Sequence, residues 1–488
     1  MYHVLNKFIK IPNKRVEDAL FHLLPYFSDS KITKQQIGKK GIEIYMVGGC
    51  VRDMLLGKEP KDYDLCTNAT PEEVKKILSV CSRYEFIDTG LKHGTVTVHD
   101  MIHDLFFEVT TYRIDGEYED NRHPLEVTFT TSLEEDLKRR DFTINSFVYN
   151  PLERELVILD ESYLYDLQLG IIRCVGDPIE RFNEDALRML RAIRFSAQLG
   201  FTIEKETYEA IKANVSLMVN ISKERIRDEL TKIILSDNPQ MLEFVAITRM
   251  EDYIGNFKQP YLSNMLQCEH ENPWHYTDVF HHTIDVIKHL PKDFDLRWSA
   301  LMHDMGKPKT KKQRPQGPIG HMVYYGHPEE SEKIALEIME ILKFSNNSKE
   351  KIRKFVKYHD YPLDEVTNVK FKKMIINIGQ DNFIDFLKLR EADALAHRLI
   401  KSTQYIIDAP SIVKDRYVKI IMNNEPLLLK DLEIDGDDLK KLGLEGKQVG
   451  DCLKYLLEKA WAKPTINKKE TLTNMANTYI LKMNRMED

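Results

Sequence analysis

The 488-residue chain lacks the marks of a disulfide-built protein: its six cysteines (50, 66, 81, 174, 268 and 452) are scattered, with no CxxC pair. That excludes a disulfide framework or a structural zinc knuckle and fits a reducing, cytoplasmic setting. No apolar run is long enough to span a bilayer, so no membrane role is expected. The first residues, MYHVLNKFIKIPNKRVEDALFHLLPYF, are broken by Pro12 and offer no signal-peptide core. An excess of positive charge is missing too. The formal net charge is −7, which argues against a chain coated generically by nucleic acid but allows a local basic track. Lysines cluster at 307–314, 369–373 and 440–447, runs whose plain reading is a solvated face. There is no internal repeat, and nothing points to a protein partner.

What is present is length enough for roughly three or four domains. The first third alternates helix and strand signals. A helix is expected over 14–27, and strands in IEIYMVGG, HGTVTVHD (93–100), LFFEVTTYR (105–113), LEVTFTT (125–131) and ELVILD (155–160). From about 177 the pattern turns helical, a histidine-rich stretch runs to about 397, and a last segment gathers glycine and aspartate around 435–450. The expected class is α+β, divided as a head over 1–170, a helical neck and body over 171–262, a histidine-rich helical domain over 263–400 and a helical tail over 401–488.

The stretch MVGGCVRDMLLGKEPKDYDL (46–65) concentrates candidate chemistry. If KDYDL is extended, Asp62 and Asp64 lie on one face, and two carboxylates converging on a point suit Mg²⁺. Gly48 and Gly49 end a strand before a helix start, so backbone N–H groups can approach a phosphate, with Arg52 adding a charged contact. Two ordinary loop charges are the competing reading. Glu108, between Phe107 and Val109, points away from those apolar residues and is a candidate third acidic ligand. A solvent-facing strand glutamate is the alternative.

EDALRMLRAIRF (184–195) reads as helix. Asp185, Arg188, Arg191 and Arg194 recur every three residues, a slanted row on one face. A surface ion-pair ladder explains such a row. So does base reading, because a carboxylate accepts from an exocyclic amino group while a guanidinium donates to a ring acceptor. Cytosine and adenine each carry that pairing of groups.

GGCVRDMLLG…DYDL, HGTVTV, EVTTYRIDGEYEDNRHP, LKRRDFTINSFVYN and FNEDALRMLRAIRF, in that order over about 40–235, resemble the class II tRNA nucleotidyltransferase and bacterial poly(A) polymerase family. The resemblance implies a DNA-polymerase-β-like head with a mixed sheet, Mg²⁺ on Asp62 and Asp64, and a triphosphate held by Gly48, Gly49, Arg52 and Arg140. Asp141 and Asn145 would support it. Asp185 and Arg188 would template the incoming base, with Arg191 and Arg194 as further contacts. In YEDNRHPLEVTF, matching the family's flexible loop, His123 replaces the commoner arginine. The implied activity is completion or repair of the 3′-terminal CCA of tRNA from CTP and ATP. A CC-adding or A-adding specialist and a poly(A) polymerase are its rivals.

VFHHTIDVIKHL (279–290), ALMHDMGKP (300–308), GHPEES (326–331), VKYHDYP (356–362) and EADALAH (391–397) resemble the HD superfamily of metal-dependent phosphohydrolases. By position the implied ligands are His282, His303, Asp304 and Asp393, with His327 and His359 for a second ion and Mn²⁺, Ni²⁺, Fe²⁺ or Mg²⁺ as metals. His281 competes with His282, and a metal-free spacer is the alternative to an active hydrolase of RNA ends or cyclic nucleotides. The segment 427–460 resembles the tail of HD-bearing members. There Gly443, Gly446 and Gly450 precede a helix expected near Gln448, suited to an RNA phosphate or simply to a helix cap.

Overall fold

In a computed structural model, all residues are described except 1, 92–93, 116–126, 256, 273–274, 315–320, 398–403 and 488. The loop residues Arg122, His123 and Pro124 therefore lie outside the described residues. The chain forms two compact units, Met1–Pro260 and Tyr261–Asp488.

The first unit is α+β. Ten strands are used below: β1 (His3–Asn6), β2 (Ile44–Val47), β3 (Leu65–Thr67), β4 (Tyr84–Gly90), β5 (Thr95–Asp100), β6 (Leu105–Thr111), β7 (Arg113–Asp115), β8 (Val127–Phe129), β9 (Val148–Asn150) and β10 (Glu155–Ile158). Eight form one mixed sheet in the order β1-β10-β9-β2-β3-β6-β5-β4. The pair β3–β6 is parallel, in register Leu65 with Val109, while β5–β6 and β2–β3 are antiparallel. The alternation read in HGTVTVHD appears as Val96, Val98 and Asp100 turned inward. The strand expected over 125–131 is shorter, and β8 pairs with β7 outside the main sheet. β3 and β9 hold three residues each, too few for periodicity to reveal.

Helix α1 (Lys14–Leu23) buries Val16, Ala19, Leu20 and Leu23, an i, i+3, i+4, i+7 stripe, and Asn13 caps it by accepting from the N–H groups of Arg15 and Val16. The expected continuation to 27 instead restarts at Pro25, which has no N–H to extend the ladder. The further labelled helices of this unit are α2 (Gly49–Leu55), α3 (Leu133–Lys138), α4 (Pro178–Glu184), α5 (Leu187–Leu199) and α6 (Lys223–Ile234). Val47, Cys66, Tyr112, Leu133, Leu137, Val148 and Val157 form an apolar cluster between sheet and α3.

The second unit is helical: α7 (Val279–His289), α8 (Phe294–Met302), α9 (His327–Ile341), α10 (Asn346–Tyr358), α11 (Gln380–Leu395), α12 (Gln404–Met422), α13 (Lys447–Ala462) and α14 (Lys469–Glu487) are its main elements. Leu439, Cys452, Leu456 and Leu472 centre a core that joins α13 and α14. Gly446 caps α13 at a φ of 51°, while Gly450 falls inside the helix rather than before it. All six cysteines are free. Among the described residues, no helix is long and apolar enough to cross a membrane.

Candidate active site and candidate metal centre

The β3–β6 register decides how the head carboxylates meet. Leu65 and Val109 lie side by side and are buried, so Asp64 and Glu108, each one residue earlier, stand level on the opposite face. Tyr63 is buried between exposed Asp62 and half-buried Asp64, the alternation an i, i+2 pair requires. Burial, then the charges of Glu108 and Asp62, push the Asp64 carboxyl up to about 6, against the pull of Arg140. Anionic charge thus accumulates at Asp64, an environment that fits a divalent cation. The three carboxylates do not form a tight ligand cluster of the kind present in the second unit.

The same unit brings a second chain of charge together. Arg52 donates to Asn145 Oδ1 at 2.6 Å and to its neighbour Asp53 at 2.8 Å. Asn145 donates to Asp141 Oδ1 at 3.1 Å, and Arg191 Nε donates to Asp141 Oδ2 at 2.9 Å. Burial alone would raise the Asp141 carboxyl, but the Arg191 guanidinium holds it well below the usual range. Arg140 points elsewhere, to Asp136 at 3.0 Å. Gly48 has a φ of 76°, a backbone conformation that calls for glycine, and a Cβ there would come 3.3 Å from Arg140 Nη1, the movable end of that side chain. Gly49 opens α2 beside Arg52.

The expected continuous helix over 184–195 is corrected by the structure. The chain breaks at Asp185 (φ −140°, ψ 102°), which closes α4 and leads into α5. The break is stabilised locally: Asp185 Oδ1 accepts from the Leu187 N–H at 3.1 Å, and its carbonyl accepts from the Arg188 N–H at 2.9 Å. Nor do the arginines line one solvent face. Arg188 Nη1 pairs with Glu184 at 2.5 Å, Arg191 reaches Asp141, and Arg194 meets Glu229 at 2.5 Å. Phe195, unmarked in the sequence reading, lies under two of them and Arg52, with guanidinium carbons of Arg52, Arg191 and Arg194 at 5.3, 5.5 and 3.9 Å from its ring centre.

In the second unit the expected ligands converge. His282, His303 and Asp393 form one group, and His303, Asp304 and His359 another, with ligand atoms within 4.8 Å of one another in each. His282 Nε2 is 3.1 Å from Asp393 Oδ1, and His303 Nε2 is 3.2 Å from Asp304 Oδ2. His327 Nε2 lies 3.4 Å from Asp304 Oδ1 and 3.1 Å from His359 Nε2. The Nδ1 atoms of His303, His327 and His359 face the carbonyls of Ala300, Tyr324 and Val356, which turns each Nε2 inward. Neither Asp304 oxygen makes an aligned hydrogen bond among the described residues, although both are buried. Inward nitrogens around a poorly satisfied carboxylate fit a metal ion. His303 and Lys307 hold that carboxyl well below the usual range despite its burial. His281 is the outer histidine: its ring pairs with Asp278 at 2.7 Å, and Asp278 caps α7. That cap was the signal that could have separated the two.

Sequence reasoning missed Lys307, 2.6 Å from Asp304, and the histidines 270, 275 and 397 packed beside His282. His275, Lys307, Arg314 and Arg390 line a cavity of about 570 Å³ that also reaches Asp304, His327, His359 and Asp393.

Comparison with known proteins places these sites in a class. Residues 44–173 match the poly A polymerase head domain, 200–242 the probable RNA and SrmB-binding site of polymerase A, and 279–396 the HD domain. The chain therefore carries a nucleotidyltransferase head of the poly(A) polymerase type followed by an HD domain, which bears out the resemblance read from the sequence. Head and HD domains of these kinds generally imply divalent metal ions.

Among particular proteins, it is 46% identical over 228 residues to the CCA-adding enzyme of Ligilactobacillus salivarius, covering 46% of this chain and 54% of that one. It is equally 46% identical over 234 residues to the CCA-adding enzyme of Pediococcus pentosaceus, covering 48% and 57%. The chain thus spans about half the length of the curated relatives it matches. The Bacillus stearothermophilus CCA-adding enzyme, solved with CTP, superposes with a TM-score of 0.67 at 26% identity, covering 95% of this chain and 98% of that one. The Thermotoga maritima CCA-adding enzyme, solved with tRNA, shares the fold at 20% identity and a TM-score of 0.59, covering 98% and 100%.

Proposed function

We propose that the chain adds nucleotides to an RNA 3′ end without a nucleic-acid template, completing or repairing the CCA of tRNA from CTP and ATP with release of pyrophosphate. The observation that carries this reading is the level placement of Asp64 and Glu108 by the β3–β6 register, with Asp62 two residues before Asp64 and Arg140 near enough to pull on the Asp64 carboxyl. Names and ligands of the similar proteins support the choice of tRNA, CTP and ATP. Asp62 and Asp64, with Glu108, would hold Mg²⁺. The chemistry such an ion supplies is a more acidic attacking hydroxyl and neutralised phosphate charge. Gly48, Gly49, Arg52 and Arg140 bind the triphosphate, with Asp141 and Asn145 orienting Arg52. Asp185 and Arg188 choose the base, with Arg191 and Arg194 adding nucleotide contacts. In this reading 1–170 is the catalytic head, 171–262 selects bases and binds RNA, 263–400 is the HD domain and 401–488 recognises tRNA, all in the cytoplasm.

The test is incubation with Mg²⁺, each labelled nucleotide and tRNA lacking its last three residues. Addition of C, C and A is expected. A long A ladder would assign a poly(A) polymerase, a stop after two C residues or addition of A alone would assign a specialist, and no extension would overturn the reading.

A second activity is favoured by the histidine cluster and the cavity it opens on, which Lys307, Arg314 and Arg390 share with five carboxylates: metal-dependent hydrolysis of phosphoesters such as RNA ends or cyclic nucleotides, with Mn²⁺, Ni²⁺ or Fe²⁺ held by His282, His303, Asp304 and Asp393 and a second ion by His327 and His359. Ring opening of nucleoside 2′,3′-cyclic phosphates by water to the 2′- or 3′-monophosphate, lost in Asp304→Ala, is its check.

A further inference from the structure

Helix α6 presents two opposite charges one turn apart, Arg225 and Glu229, and both are spent on the segment around α5. Arg225 Nη2 donates to Asp185 Oδ2 at 2.9 Å, and Glu229 Oε2 lies 2.5 Å from Arg194 Nε. The Asp185 carboxylate is thereby held from two sides, because its other oxygen already accepts from the Leu187 N–H at 3.1 Å. A carboxylate fixed at both oxygens keeps only the lone pairs that its two donors leave open. The orientation of those lone pairs decides which base edges it can accept from.

The guanidinium found beside Asp185 is not the one the sequence spacing suggested. Arg188 turns to Glu184 at 2.5 Å and to the carbonyls of Arg181 and Arg139 at 3.2 and 2.9 Å. Arg225 stands against the carboxylate instead, and its second terminal nitrogen, Nη1, is buried without a partner among the described residues. That nitrogen has no accessible surface, so Arg225 acts on the carboxylate through Nη2 and does not itself offer a ligand a second group.

We infer that Arg225 is a positioning residue for nucleotide choice, holding the Asp185 carboxylate in the one orientation that accepts the amino-bearing edges of cytosine and adenine. This rests on the proposed role of Asp185 as base reader. A helix clamp with no part in selection would make the same contact, so the test must separate the two.

The experiment is titration of the full chain with CTP, ATP, UTP and GTP in Mg²⁺ without RNA, for wild type, Arg225→Gln, Arg225→Lys, Asp185→Ala and the double variant Asp185→Ala/Arg225→Gln. Arg225→Gln is expected to narrow the preference for CTP over UTP and for ATP over GTP by about tenfold. Arg225→Lys, which keeps the charge but loses the planar fork, should fall between. The double variant should be no less selective than Asp185→Ala alone, because both changes remove one device. A clamp predicts equal weakening for all four nucleotides. That result, or unchanged ratios, overturns the inference and leaves the proposed function standing. A wild-type chain that binds all four alike overturns the base-reading role itself, and with it this inference. Should Arg225→Gln fail to fold, the ratios of Arg225→Lys decide, and unaltered ratios there are equally fatal.

Discussion

The two acidic sites are built on opposite plans. In the head, Asp62, Asp64 and Glu108 stand on a sheet face, two of them exposed, and burial of Asp64 together with the charges of Glu108 and Asp62 lifts its carboxyl to about 6. In the HD domain, His282, His303, Asp304 and His359 are buried, and carbonyls aim three inward-facing rings. The difference follows from what each is expected to bind. Mg²⁺ prefers a few carboxylates plus the oxygens of a phosphate, so a head of this kind is completed by its substrate. Imidazole and carboxylate donors on helices make a set that can hold an ion before any substrate arrives.

The comparison can be broken most sharply at Asp64. Asp64→Ala should slow nucleotide addition by about a thousandfold or more, roughly 4 kcal/mol of barrier, in single-turnover extension. Addition at the wild-type rate would remove the head from the chemistry. Asp141→Asn comes next, because it strips Arg191 and weakens the hold on Asn145. Asp141 is buried but Arg191 is about a third exposed, so a loss of about 1–3 kcal/mol in urea unfolding is expected. In the other unit, Asp304→Ala should weaken retention of Mn²⁺ or Ni²⁺, read by metal analysis after dialysis, by at least about tenfold. Nucleotide addition by that variant should stay within about twofold of wild type, and a parallel fall would show that the sites are not separable. The smallest effect is a pH dependence at Asp100. Burial alone would raise this carboxyl, but hydrogen bonds from Arg83 and His103 pull it down to about 2. Its stabilising contribution is therefore complete above about pH 4 and lost as pH falls through about 2, so wild type and Asp100→Asn should converge in stability on acidification.

Some of this was legible in the chain. The i, i+2 spacing of Asp62 and Asp64 put those two on one face and the flanking of Glu108 by Phe107 and Val109 turned it away from the core, because strand side chains alternate, but only the β3–β6 register brings Glu108 level with Asp64. The break at Asp185 was not legible. Glu, Asp, Ala, Leu and Arg all read as a continuing helix, and no glycine or proline marks the interruption. It is the carboxylate's own bond to the Leu187 N–H that makes the turn. The partners of the arginines were hidden for another reason. Arg191 finds Asp141 fifty positions away, a pairing that helical spacing cannot express, and Phe195 looks like any core aromatic until three guanidinium groups surround it. Among the histidines, composition left 281 and 282 equivalent, and the cap at Asp278 separated them.

The parallel pairing of β3 with β6 also bears on which length changes the head can absorb. Asp64 and Glu108 are aligned by hydrogen bonds between two short strands, not by the polypeptide that connects them. The connections at 79–83, which leads from a helix into β4, and at 101–104, between β5 and β6, lie outside the β3–β6 pairing, so a length change there leaves both acids level even where it disturbs the Arg83–Asp100–His103 contacts. One residue inserted within Leu105–Thr111 ahead of Glu108 would instead swing that acid into the apolar layer now occupied by Phe107 and Val109. Indels among chains that match this head domain should therefore gather at those connections and be absent from the two strands, a pattern that sequence collections can be searched for directly.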